Sequence, residues 1–177
     1  MEVTRTFDIL ERLKKRFPKD DILAGKHNGE WVRYSTTEYI NYVNWFSCGL
    51  LSMGFKKGDK IATISNNRPE WNFVDLGMAQ IGVIHVPIYP TISEEDYNYI
   101  LRHSEVKAII LSNKSIYKKV APVAQKIRKI RNIYSFDEIE GVESWFKILD
   151  TGKMHEATYM PEVEQRKNSI TPHELVT

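Results

Sequence analysis

Asn66, Asn67 and Arg68 stand between the apolar run Ile61 to Ile64 and a helix-opening Pro69-Glu70. Two amides and a permanently charged guanidinium at the mouth of a helix can hold an anion, because the first helical N–H groups have no partner of their own. A plainer role fits the same residues: the asparagines turn the chain and Arg68 pairs with a nearby acid. Tyr89-Pro90-Thr91 is either a pocket wall or a stiff exit from a buried strand, and Ser112 to Ser115 leaves another apolar run in the same way. His85, in mid-strand, reads first as a hydrogen-bonded core residue and only then as a catalyst. His27 beside an Asn-Gly pair reads as a turn residue. Cys48 lies inside a helical pattern with no basic neighbour, which suits a buried, inert thiol better than a reactive one.

Several chemistries lack their signatures. No G-x-G-x-x-G follows a strand, and there is no G-x-x-x-x-G-K-[ST] loop, G-x-S-x-G elbow or H-E-x-x-H pair. The acids do not cluster at strand ends as a metal pocket requires, so no metal site is expected. A receiver-type domain needs acids where Ser65-Asn66-Asn67 stand. This stretch therefore carries no complete catalytic constellation.

The elements that must position these residues centre on 60–91. Ile61 to Ile64 and Val83 to Ile88 are near-continuous apolar runs, as strands buried on both faces are. Between them Phe73, Val74, Gly77, Met78 and Ile81 recur at helical spacing. Strand–helix–strand implies parallel strands and a right-handed crossover. Upstream, residues 4–17 read as an amphipathic helix with Phe7, Leu10, Leu13 and Phe17 on one side. Next, 22–24 and 31–34 read as a hairpin closed by Asn28-Gly29 in a type I′ turn. Ser35 and Glu38 form a capping box, and Gly54 ends that helix with Phe55 packed back on it. Downstream, Ser93 with Asp96 opens another helix, 106–111 is a third strand and 133–136 a fourth. Ile116 to Ile130 read as one helical face, kinked or restarted at Pro122. Residues 143–149 suggest a short helix, 151–169 a polar surface excursion, and 171–175 the start of a new element. The expected fold is α/β: a parallel sheet flanked by helices on both faces, with a short N-terminal β-hairpin.

The chain has 177 residues and a formal charge of +2, too small to argue for nucleic acid. No signal-peptide core and no run of about 18 apolar residues is present, so a cytoplasmic location is expected. Lys118, Lys119, Lys126, Arg128, Lys129 and Arg131 make the outer side of the 116–130 helix basic. That leaves open a stand-alone module that docks on a membrane or a protein.

The run 54–62, GFKKGDKIA, followed by Asn67-Arg68-Pro69-Glu70-Trp71 and Val86-Pro87-Ile88-Tyr89-Pro90-Thr91, resembles the N-terminal part of the acyl-adenylating enzyme superfamily. N-R-P-E-W followed by Y-P-T is most similar to its long-chain fatty acid–CoA ligase branch. The W-x-R-Y-S-T-x-E run from Trp31 to Glu38 supports the match, which covers roughly residues 5–177. The resemblance implies an enzyme that uses ATP, Mg²⁺ and CoA to turn a fatty acid into acyl-CoA through an acyl-adenylate. It implies that residues 1–177 are the first part of the large adenylation domain: helix and hairpin to 35, alternating core over 36–136, short helix and excursion over 137–177. The family's phosphate loop and C-terminal domain would follow Thr177, so no catalytic residue carries over. None of these cofactors is expected bound to residues 1–177 alone, which are expected to be inactive. Asn67, Arg68, Tyr89 and Thr91 are the residues expected near substrate. Peripheral membrane contact and a homodimer are further expectations.

Overall fold

A computed structural model describes residues 2–27 and 29–177. The sheet comes from β3 (Lys60–Ile64), β4 (Ile84–Ile88), β5 (Ala108–Leu111), β6 (Asn132–Ser135) and β7 (Glu143–Ser144), in the order β4-β3-β5-β6-β7 with every pair parallel. Neighbouring side chains on a strand point to opposite faces, and here both faces are apolar. Ala108 and Ile110 of β5 enter one core while Ile109 and Leu111 enter the other.

The helices divide between the faces. α3 (Pro69–Ala79) covers the first, together with α1 (Asp8–Arg16), α2 (Thr36–Ser52), α6 (Phe146–Met154) and α7 (Glu156–Ser169). α4 (Glu94–Ser104) and α5 (Lys114–Ala124) cover the second. The chain moves from β3 outward to β4, then back past β3 to β5 and on to β6. With crossovers of one hand, that reversal must place α3 opposite α4 and α5.

Local chemistry sets the boundaries. Ser35 caps α2 and Ser93 caps α4, each in a reciprocal box with Glu38 or Asp96. Gly54, at φ +81°, ends α2: its N–H reaches Leu51 O and that of Phe55 reaches Leu50 O. The hairpin pairs β1 (Leu23–His27) with β2 (Glu30–Tyr34) antiparallel. Gly29 has the positive φ that the expected turn needs, while Asn28 lies outside the described residues.

Five sequence expectations change. α1 starts at Asp8, because the Asp8 carboxylate takes the N–H groups of Thr4 and Arg5 and holds them out of the helix. Phe17 sits past its end and is exposed. α5 stops at Ala124, just beyond Pro122, so Lys126, Arg128, Lys129 and Arg131 leave the helix and no single basic helical face exists. Residues 143–144 are a strand, and the helix they were expected to open begins at Phe146. The polar stretch 151–169 is helical, ending α6 and then forming α7. Only Val163 of α7 is fully buried, Tyr159 and Met160 pack partly against the core, and polar ties add to them: Trp45 Nε1 donates to Glu156 at 2.9 Å, and Arg166 reaches Phe55 O and Ile81 O. A helix held at so few apolar points shows no hydrophobic periodicity.

β4 forms the sheet edge. Its outward-facing His85 N–H donates to Val176 O at 3.0 Å, and two residues on Pro87 has no N–H to offer. On the first face α2 and α6 pack backbone to backbone. A Cβ at Gly152 would lie 1.7 Å from Trp45 O. Gly152→Ala should therefore destabilise the protein by about 2–3 kcal/mol through overpacking, against a helix propensity that favours alanine by about 1 kcal/mol. Urea unfolding reads the sign, and a stabilised variant would mean that the two helices are not so closely apposed.

Candidate functional site

Where strand order reverses, the loops after β3 and β5 turn toward opposite faces and leave a crevice beyond the carboxyl ends of the strands. A cavity of about 640 Å³ lies there. Asn66, Asn67 and Arg68 come to it from β3, Ser112 and Asn113 from β5, and Phe136 and Asp137 from β6. The hairpin roofs it with Lys26, His27 and Tyr34. Gly25 lets the hairpin approach: a Cβ there would fall 2.7 Å from Pro69 Cδ.

Arg68 is the hub. Its Nε and Nη2 each donate to Glu70 at 2.9 Å, and Nη1 donates to Asp137 Oδ1 at 2.9 Å and to Ser112 O at 3.4 Å. Its guanidinium carbon stands 4.9 Å from the centre of the Phe136 ring. One side chain thus ties the N-terminus of α3 to the loops after β5 and β6. Burial opposes its charge, but the hydrogen bonds to Glu70 and Asp137 outweigh burial and raise its pKa. Burial likewise pushes the Glu70 carboxyl up, and the bonds from Arg68 more than reverse this, so its pKa falls below the ordinary value. Tyr34 is pushed up to about 12, first by burial and then by the charge of Glu70. The pairing with nearby acids expected of Arg68 is present, and a carbonyl shares its donors.

Asn66 and Asn67 are exposed at the rim, and neither side-chain amide hydrogen-bonds to another described residue. Tyr89 and Thr91 leave the neighbouring edge strand exposed, outside the cavity lining, with their hydroxyls unpaired among the described residues. The structure brings Asn67 and Arg68 together and sets Tyr89 and Thr91 to one side. Lys26, His27, Tyr34, Phe136 and Asp137 were not foreseen. Gly25 opposite a proline was the one residue that could have announced the roof.

His85 has the surroundings of a core residue. Its Nδ1 lies 2.7 Å from Asp75 Oδ1 and its Nε2 2.5 Å from Thr63 Oγ1. Hydroxyl, imidazole and carboxylate in a row have the outline of an acyl-transfer triad. Thr63 and His85 are each only 1 % exposed, so no substrate carbonyl reaches the hydroxyl. The row satisfies a buried imidazole. Cys48 is buried too, and burial, helped by the charge of Glu156, pushes its thiol up to about 12.

A profile of the family described as "AMP-binding enzyme" matches residues 10–176. The chain belongs to this family. Among curated relatives of this AMP-binding chain, the long-chain-fatty-acid–CoA ligase FadD15 of Mycobacterium bovis is 28 % identical over 106 residues, 60 % of this chain and 18 % of its own length. Long chain acyl-CoA synthetase 8 of Arabidopsis thaliana is 29 % identical over 150 residues, 82 % of this chain and 20 % of its own. The chain thus spans about a fifth of the length of these relatives. The fold matches a crystal structure of the anthranilate CoA ligase AuaEII, solved with anthranoyl-AMP, at a TM-score of 0.69 and 19 % identity. The match covers 82 % of this chain and 27 % of that one. No helix among the described residues is long and apolar enough to cross a membrane.

Arg68→Ala would strand two carboxylates around the cavity and should cost about 3 kcal/mol of stability. The Glu70 contribution has a definite sign. Its folded pKa lies below the unfolded value, so its stabilisation is complete above pH about 4.5 and lost as pH falls through the folded pKa. Acid unfolding of wild type and Glu70→Gln should accordingly converge at low pH and differ at neutral pH. Parallel curves over that range would show that the pair is not coupled to folding.

Proposed function

We propose that residues 1–177 are the first part of the large adenylation domain of an AMP-forming fatty acid–CoA ligase. ATP, Mg²⁺, a fatty acid and CoA would be the partners of the whole protein. The observation that carries this is the family match across 10–176 in a chain one fifth the length of relatives named as fatty acid–CoA ligases. The long-chain class of acid is proposed from the N-R-P-E-W and Y-P-T runs and from the names of those relatives.

Adenylation brings a carboxylate up to a triphosphate and needs amide donors, a metal and free cations around the transferring charge. Among the described residues no group of three or more His, Cys, Asp or Glu side chains could hold a metal ion, and the cavity's guanidinium is already shared by two acids. These residues alone do not fit the triphosphate, and no step of the reaction is assigned to them. Their part is positional: Arg68 fixes the loops at the crevice, while the unpaired polar groups of Asn67, Tyr89 and Thr91 face outward and can contact substrate.

The 177-residue protein should release no pyrophosphate with ATP, fatty acid and CoA, whereas the protein read from the continuous gene should. Activity in the short protein would overturn the reading as a part. Within the longer enzyme, Asn67→Ala, Tyr89→Ala and Thr91→Ala should leave the melting temperature unchanged. Each should lower kcat/KM about tenfold, as loss of one polar contact of about 1.4 kcal/mol does. Unchanged kinetics in all three would remove them from the substrate site.

A further inference from the structure

We propose that the end of the sheet opposite the crevice binds a small phosphate-bearing anion with two or more negative charges. Lys60 opens β3, and Lys107 and Arg131 immediately precede β5 and β6, so the three stand in adjacent positions at the N-terminal end of the sheet. Lys107 N–H donates to Lys60 O, and Arg131 N–H donates to Lys107 O, each at 2.8 Å. The register pairs Ile61 with Ala108 and Ala108 with Asn132; carried back one position it aligns Lys60, Lys107 and Arg131 in a row, with strands about 4.8 Å apart, and all three line one recess. Like charges side by side on a sheet destabilise it.

A cavity of about 640 Å³ covers this row. Arg128 and Lys129, from the turn after α5, complete its wall, and the acids that reach it are Asp59 and Glu105. Asp59 pairs with Lys107 and Glu105 with Lys129. Lys60, Arg128 and Arg131 have no carboxylate partner among the described residues. Five cations against two acids leave three positive charges in one recess. Lys60 and Lys107 are half-buried and line it with the three more exposed cations of the turn after α5. Arginine and lysine converging from several elements suit phosphate oxygens, which accept charge-assisted hydrogen bonds from each. An anion seated there would also relieve the repulsion along the row.

Titration calorimetry of the 177-residue protein with inorganic pyrophosphate at low ionic strength, with phosphatidylserine vesicles as a second arm, tests the site. One saturable site is expected, weakened about tenfold by Lys60→Gln and by Arg131→Gln. Lys118→Gln/Lys119→Gln, which removes charge from the exposed side of α5, should leave it intact. Pyrophosphate should raise the melting temperature of wild type but not of Arg131→Gln. Without the anion, Lys60→Gln should melt at or above wild type, because it thins the row. Equal weakening by the α5 variant would reduce the effect to net charge and overturn the site. So would vesicle binding that does not need Lys60, or no saturable pyrophosphate binding at millimolar concentration.

Discussion

Every parallel strand in this protein has to bury both faces, and crossovers of a single hand have to do the covering. That constraint fixes most of the architecture. β3 sits inside the sheet and sends its chain one way, while β5 beside it sends its chain the other. The helices after them therefore lie on opposite layers. The loops above the two strands must part, and the crevice is the consequence of that parting rather than a feature added to the sheet. A sheet this small would leave the gap loose without something to span it.

Arg68 spans it. Three segments distant in sequence meet on one planar group whose donors match two carboxylates and a carbonyl. The arrangement is costly to desolvate and stable only when complete. It also explains why the one guanidinium of the crevice is not free. Arg68 is occupied in holding the walls, and the side chains of Asn66 and Asn67 at the rim and of Lys26 in the roof make no hydrogen bond to another described residue.

The central fold was legible because its signals are local. Apolar runs of strand length, two reciprocal capping boxes and a glycine-terminated helix each announce themselves within a few residues. From 143 on, only the first turns of α6 were legible; β7 and α7 were not. α7 is tied by Trp45–Glu156 and Arg166, contacts made across more than eighty residues of sequence, and its apolar contacts with the core are confined to Tyr159, Met160 and Val163. The candidate site was half readable. Asn67 and Arg68 follow from strand order alone. The hairpin roof does not, because which face of an exposed two-stranded ribbon will dock is decided by its partner. Tyr89 and Thr91 lie at the same end of the sheet but beyond its outermost strand, outside the cavity lining.

That outermost strand carries one more implication. Residues 85, 87 and 89 of β4 and its exit present their backbone away from the sheet; the first donor is taken by Val176 and the second is a proline nitrogen. An incoming ribbon from another molecule would find a broken template instead of a ladder. Two interruptions, the strap at Val176 and the ring of Pro87, thus break the ladder along this border. No charged gatekeeper is required on that side.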